Sequence, residues 1–248
     1  MSTDKSLAQS EMTTRGKPLH KMFNQVPQNY DFLNRLLTFR LDEHWRNKAT
    51  NAILNETPSS VMDLGTGTGD LAIKLAKNNQ RIQVTGYDFS NSMLEIARKK
   101  ANRHSLNNIS FIEGDAGEMP FDNNSFDIIG ISFAFRNITF KNPNTQNYLK
   151  EIVRVLKPGG KFIIVESSQP KNKIIRKLFH AYLHYLVSGI GGRISESKGA
   201  YHYLAYSAKN FYSPEELKEL LLNHGFNKVN HNPMFFGAAA LTIAQKPI

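Results

Sequence analysis

Val61-Met62-Asp63-Leu64-Gly65-Thr66-Gly67-Thr68-Gly69-Asp70 is the stretch whose reading decides the fold of this chain of 248 residues. A hydrophobic run carrying the acid Asp63 is followed by glycine at three alternate positions. Asp70 then leads into the apolar-periodic run Leu71, Ile73, Leu75 and Ala76. The order is that of a strand, a tight turn and a helix. Gly65, Gly67 and Gly69 let the main chain turn sharply and let a flat or extended ligand lie against it without Cβ collisions. A turn with only a structural role is the competing reading.

Charge narrows the ligand. Glycine-rich turns that hold pyrophosphate aim backbone N–H groups and a helix N-terminus at the anion, and a neighbouring carboxylate would repel it. Here Asp63 and Asp70 flank the turn, which suits a ligand with a cationic near end. S-adenosylmethionine carries both an ammonium and a sulfonium. Residues 81–87 read as the next strand and end in Asp88, at about the separation from which an acid on the second strand's tip accepts both ribose hydroxyls. Asp88 also suits a cap for the following helix, beside Ser90 and Asn91.

The chain is long enough for one α/β domain with some decoration. An apolar fraction of 40% is sufficient for a core. No apolar run reaches the roughly 18 residues of a membrane span, and the N-terminus lacks the apolar stretch of a signal peptide. With no cysteine there is no disulfide, thiolate metal site or cysteine nucleophile, which accords with a cytoplasmic address. No metal site is expected. The net charge of +10 suits anionic partners, but the basic residues are scattered as on an ordinary soluble surface.

Working outward, residues 1–21 read as a polar, disordered arm and 22–248 as one domain, with a helical cap over 22–58. The cap carries Phe23, Val26, Tyr30, Phe32, Leu33, Leu36, Leu37, Phe39, Leu41 and Trp45, placed to cover a ligand or simply to pack on the core. Beyond the opening unit, residues 84–87 read as a strand, 93–101 as a helix, 109–112 and 126–133 as strands, 149–156 as a helix and 162–165 as a strand. This alternation predicts a doubly wound, mostly parallel sheet that binds ligands at its strand C-termini. Asp115, just past the third strand, is positioned for an adenine amino group. Ser132, at the next strand end, faces the cofactor, with Arg136 and Asn137 beyond it. Lys157-Pro158-Gly159-Gly160 reads as a helix stop and turn.

Residues 170–210 read as an amphipathic lid. Ile174, Ile175, Leu178, Phe179, Tyr182, Leu183, Leu186 and Val187 line one side, with Arg176, Lys177, His180 and His184 opposite. Seven Lys/Arg between Lys171 and Lys209 face a single acid, Glu196. The segment either touches lipid or receives a long apolar substrate, or it packs on the sheet with a solvated basic face. Ser213-Pro214-Glu215-Glu216 is a capping box whose helix ends at Gly225. Residues 228–236 and 238–244 read as two antiparallel closing strands joined at Gly237.

These residues resemble a known family. The 63–70 loop with Asp88 is similar to class I S-adenosylmethionine-dependent methyltransferases, which implies a Rossmann-like seven-stranded sheet whose last strand is antiparallel. More narrowly, Tyr30-Asp31-Phe32-Leu33-Asn34, residues 42–46 with Trp45, residues 115–121, Ser132-Phe133-Ala134-Phe135-Arg136-Asn137 and residues 154–160 resemble, in order, the ubiquinone/menaquinone biosynthesis C-methyltransferases. The resemblance extends through Tyr201-His202-Tyr203-Leu204 and Phe236-Gly237-Ala238-Ala239-Ala240. It implies C-methylation of a polyprenylated quinol, most simply demethylmenaquinol to menaquinol, with Asp63, Gly65, Thr68, Gly69, Asp88, Asp115, Ala116 and Ser132 at the cofactor. Peripheral membrane contact follows from such a substrate, nucleic acid is not an expected partner, and a homodimer is allowed. Two departures fall on the substrate face: Ala134 stands where the family usually has glycine, and Glu166-Ser167-Ser168 stands for Glu-Phe-Ser.

Arg136 is too basic to act as a free base, so its expected role is to stabilise a developing quinolate, with Asn137 positioning a water. Tyr30 and His202 are candidates for proton relay and gating, although a histidine in a tyrosine-rich stretch also suits a structural role. Two other readings stand beside this one: the same chemistry on a soluble metabolite or RNA base, and a binding protein without catalysis. The intact Asp63, Gly65, Gly67, Asp88 and Arg136 argue against the latter.

Overall fold

The computed structural model describes residues 35, 38–187 and 198–248, and only the backbone at 186 and 198–202. The arm and residues 22–34, 36 and 37 of the expected cap, Tyr30 among them, lie outside the described residues. Seven strands form one sheet in the order β3-β2-β1-β4-β5-β7-β6: β1 Ser60–Leu64, β2 Gln83–Asp88, β3 Ile109–Glu113, β4 Phe126–Ser132, β5 Leu156–Ser167, β6 Lys228–Met234 and β7 Ala239–Gln245. Neighbouring pairs from β3 through β5 are parallel, and β7 runs antiparallel to both β5 and β6.

Helices cover both faces: α1 Leu41–Leu54, α2 Asp70–Asn78, α3 Asn91–Arg103, the short α4 Phe135–Thr139, α5 Thr145–Val155, α6 Lys173–Tyr182, α7 Lys198–Lys209 and α8 Pro214–Leu222. Successive strand residues feed opposite faces, as a pleat requires. Met62, Ile129 and Ile164 join the core under α5 and α8 with Leu149, Ile152 and Leu217. Val61, Ile128 and Ile163 join the other core with Trp45, Ile53, Leu71 and Leu75. Central strands buried on both faces read as continuous apolar runs, which is why β1 and β4 stand out in the sequence.

The chain passes from β1 to β2 on one side and returns to place β4 on the other, so the connections after β1 and β4 diverge. That is where open α/β sheets bind ligands. Register aligns the functional strand ends there: Leu64 lies opposite Tyr87, Asp63 opposite Gly130, and Ser132 opposite Val165.

Several boundaries differ from expectation. β4 ends at Ser132 because Phe133 is left-handed (φ 58°), which turns the chain out of the sheet and into α4. The fifth helix begins at Thr145, and Leu156 already pairs with Phe126. Residues 157–160 form the irregular entry of β5, bulged between the pairs Phe126–Leu156 and Ile128–Lys161, with Gly159 left-handed (φ 74°). The capping box forms as expected: Ser213 Oγ accepts from Glu216 N–H, and the Glu216 carboxylate accepts from Ser213 N–H. The last two strands are joined by a turn of three residues with positive φ, Phe235 (46°), Phe236 (56°) and Gly237 (90°).

The 170–210 segment does not lay α6 on the sheet. α6 has no buried residue, and Ile174 and Leu178 are 71% and 66% exposed. It continues into a π-helical turn, Leu183–Val187, which packs against α7 in a small separate cluster of Leu183, Val187, Ala205 and Ala208. No helix among the described residues is long and apolar enough to cross a membrane.

Candidate active site

A cavity of about 570 Å³ opens at the strand C-termini and draws on the turns after β1, β2 and β4, on α1, and on the α6–α7 segment. Gly65, Gly67 and Gly69 all take left-handed φ (64°, 53° and 82°), the conformation in which glycine alone is unstrained. A Cβ on Gly65 would stand 2.6 Å from the Ala134 methyl, whereas one on Gly67 would meet nothing within 4 Å. The turn is therefore packed at its root and open above its centre.

Asp63 is 1% exposed and lines the cavity. It accepts from Thr66 Oγ1 (2.6 Å) and from Ala72 N–H (3.1 Å). Burial outweighs these bonds and pushes its carboxyl up to about 7. Asp88 accepts from Gly67 N–H (2.8 Å) and from Ser90 N–H (2.9 Å), so it ties the glycine turn to the residue that precedes α3. Asp70 corrects the simple charge argument. It pairs with Lys100 (2.8 Å), Arg35 (3.5 Å) and Arg46 (3.7 Å), and although burial works against its charge, Lys100 and Arg46 hold its carboxyl below the ordinary range. Its charge is spent within the protein, and Asp63 and Asp88 are left to set the potential of the turn.

Thr68 lines the cavity beside Lys100, which donates to its Oγ1 (3.0 Å). Ala116 and Ser132 line it too, and Ser132 Oγ is buried with no hydrogen-bond partner among the described residues. Gly69 caps α2 behind the lining. Asp115 is exposed and stands outside the lining, its carboxylate accepting from Gly117 N–H (2.8 Å) while its carbonyl accepts from Tyr87 Oη (3.0 Å).

The turn after β4 carries Arg136 and Asn137 into the same cavity. Arg136 is 3% exposed. Its Nη1 donates to Glu166 Oε1 (2.5 Å) and to Ser167 Oγ (3.1 Å), while Nε is buried without a partner among the described residues. Tyr203 also lines the cavity, and burial raises its phenol, with Arg136 acting against the shift and Glu166 adding to it. The remaining wall is apolar: Trp45, Phe133, Leu178, Phe179, Leu183 and Phe235 among others. Tyr30 falls outside the described residues, as does the side chain of His202 on α7.

Tyr203, Phe235 and Phe236 line the cavity and Glu166 supports Arg136; the sequence reading put Glu166 on the substrate face but gave none of the four a role. For Glu166 a signal existed, since a buried arginine requires a carboxylate and the end of the neighbouring strand is the place to find one.

A family model of the ubiE/COQ5 methyltransferase family matches residues 10–246. The chain is 39% identical to a demethylmenaquinone methyltransferase of Chlorobaculum tepidum, over 99% of this chain and 100% of that one. It is 38% identical to a demethylmenaquinone methyltransferase of Thermus thermophilus, over 91% of this chain and 100% of that one. With the ubiquinone/menaquinone biosynthesis C-methyltransferase UbiE of Geobacter sulfurreducens it shares 34% identity over 98% and 94% of the two chains. Among solved structures, a SAM-dependent methyltransferase from Aquifex aeolicus shares the fold, with a TM-score of 0.55 at 19% identity over 79% of this chain and 88% of that one. A sheet of order 3-2-1-4-5-7-6, a carboxylate-flanked glycine turn at its switch point and a match over nearly the whole length lead to one assignment: this chain belongs to the ubiE/COQ5 methyltransferase family.

Proposed function

We propose that this enzyme moves a methyl group from S-adenosylmethionine to a ring carbon of a polyprenylated quinol, most simply converting demethylmenaquinol to menaquinol. The observation that carries the reading is that one cavity combines the glycine turn with Asp63 and Asp88, the buried guanidinium of Arg136, and a long apolar wall. The names of the full-length relatives support the acceptor.

The donor fits the residues present. The open space above Gly67 accepts a ligand against the main chain, Ser132 Oγ lacks a partner among the described residues, and Asp63 offers a buried carboxyl to a cation. When bound, S-adenosylmethionine supplies an electrophilic methyl on a sulfonium. Asp88, clamped by Gly67 and Ser90, presents its carboxylate to the ribose hydroxyls, and Thr68 and Ala116 border the nucleoside. Asp115 contributes through the loop it braces at Gly117.

On the acceptor side, the ring carbon becomes nucleophilic as a quinol hydroxyl loses its proton. Arg136 Nε is a buried donor that needs an acceptor, and a quinolate oxygen supplies one. Glu166 fixes the guanidinium from behind. Tyr203 keeps its proton at neutral pH and so donates a hydrogen bond instead of serving as base. Asn137 positions a water, and Tyr30 and His202 relay the proton outward. Aligning the two reactants contributes about 7–11 kcal/mol in favourable cases.

The test is incubation of the protein with methyl-labelled S-adenosylmethionine and reduced lipid extracts from cells blocked in quinone methylation. Label in a lipid quinone is expected, and label only in a polar metabolite or RNA would overturn the reading.

A further inference from the structure

A residue that both lines a cavity and is mostly exposed marks the cavity's mouth. Phe39, Leu178, Phe235 and Phe236 do both, at 68%, 66%, 54% and 76% exposure. Ile174, 71% exposed, stands one turn before Leu178 on the same face of α6. Single exposed apolar residues are ordinary, but four at one opening with a fifth one helical turn away are not. The aromatic pair is also held out at a cost, because left-handed φ is unfavourable for a bulky side chain and Asn or Gly would form the same turn without it.

The surrounding charge identifies what meets this surface. α6 carries Lys173, Arg176 and Lys177 and no acid, and none of the three has an ion pair among the described residues. A second copy docking face to face would bring these cations together in one buried patch, in a chain already at +10. An anionic lipid surface instead neutralises them while its acyl region takes the aromatic side chains.

We propose that this mouth is a bilayer-docking rim: Phe235, Phe236, Ile174, Leu178 and Phe39 enter the boundary between headgroups and acyl chains, and Lys173 and Lys177 engage anionic headgroups. The cavity then opens directly into lipid, and a quinol passes from the bilayer to the site without crossing water. The proposal goes beyond a lid contact, since two of the five rim residues come from the β6–β7 turn and Phe39 from ahead of α1, all far from 170–210 in sequence. It rests on the acceptor reading above only for the identity of what passes through.

The experiment is flotation of the full chain with vesicles of phosphatidylcholine, with and without phosphatidylglycerol, and with no quinone present. Binding is expected to be strongest with phosphatidylglycerol. Phe235→Asn with Phe236→Asn, which tolerates the left-handed turn, is expected to lower partitioning at least about tenfold on both vesicle types. Lys173→Glu with Lys177→Glu is expected to remove the preference for anionic vesicles, about fivefold per lysine, while leaving turnover of a short-chain, detergent-soluble quinol unchanged. If the phenylalanine variant loses thermal stability, Ile174→Ser, at an exposed position outside the cavity lining, decides: reduced flotation supports the rim and undiminished flotation overturns it. Absence of flotation by the parent chain, or a rim substitution that changes only the sedimentation mass, also overturns it. A protein that floats but labels no quinone refutes the acceptor and keeps the rim; one that methylates quinol but does not float does the reverse.

Discussion

Arg136 Nη1 and Glu166 Oε1 stand 2.5 Å apart, joining side chains 30 positions apart in the chain and both almost fully buried. Glu166 Oε2 also accepts the backbone N–H of Arg136 (3.1 Å), and its Oε1 accepts that of Ser167 (2.8 Å), so this one carboxylate fixes both the turn and the guanidinium. Arg136 is thus braced on its Nη1 edge, with Nε left for a ligand.

Arg136→Ala is expected to lower the methyl-transfer rate by about two to three orders of magnitude, the range for removing a preorganised oxyanion donor. The affinity for S-adenosylmethionine should change little. Single-turnover rates and calorimetric donor binding measure the two separately, and equal loss in both would make Arg136 a folding residue. Glu166→Gln leaves a buried cation uncompensated, and breaking such pairs costs about 3–5 kcal/mol. Thermal unfolding should register that loss.

Asp63 makes the stability and donor affinity pH-dependent in opposite directions. Its carboxyl is raised by burial from 3.8 to about 7, so the folded chain holds this proton more tightly than the unfolded chain. Between about pH 4 and 7 the folded state is protonated there while the unfolded state is ionised, so this contribution falls as pH rises and is exhausted above about 7. A cationic donor favours the ionised form, so its affinity should rise with pH through the neutral range, with a proton released on binding. Calorimetry in buffers of different ionisation enthalpy counts that proton, and Asp63→Asn should abolish its release.

Gly65→Ala tests the root of the turn. The new methyl would meet Ala134 Cβ at 2.6 Å in a residue held at φ 64°. The left-handed conformation costs about 1–2 kcal/mol and the overpacking about 1–3 kcal/mol. Adding Ala134→Gly removes only the second part. Chemical denaturation of the single and double variants should therefore give partial recovery; full recovery would mean that the backbone conformation is not strained.

Much of this arrangement was legible in the sequence because it is local. The 61–70 stretch encodes strand, turn and helix in consecutive residues, and Ser213-Pro214-Glu215-Glu216 closes its box over a single turn. The order of strands and helices followed from periodicity. What was not legible depends on contacts between distant residues. Asp70 looked like part of the ligand's electrostatics, but Lys100, thirty positions on, pairs with it. Glu166 looked like part of a family motif until the β4–β5 register set Val165 beside Ser132 and brought the next residue to Arg136. Phe235 and Phe236 read as the end of a strand, because no spacing rule announces consecutive left-handed aromatics.

Asp88 offers the sharpest separation of a structural from a binding role. Its carboxylate holds Gly67 N–H at 2.8 Å and Ser90 N–H at 2.9 Å, work that a brace between the two turns alone would explain. Asp88→Asn replaces one acceptor oxygen by a donor, so one of those two bonds is lost, at a cost of about 1 kcal/mol in stability. If bracing were the whole role, Asp88→Asn and Ser90→Ala would differ little in donor affinity once matched for stability. A carboxylate that accepts from ribose hydroxyls predicts instead a loss of about 1.5–3 kcal/mol in binding, or roughly 10- to 150-fold in the dissociation constant. Titrating S-adenosylmethionine and its 2′-deoxy analogue against both variants separates the cases: the parent should discriminate between the two ligands and Asp88→Asn should not, because the group that reads the hydroxyl is gone. Discrimination that survives the substitution would assign the ribose to another residue and leave Asp88 as the brace of the glycine turn.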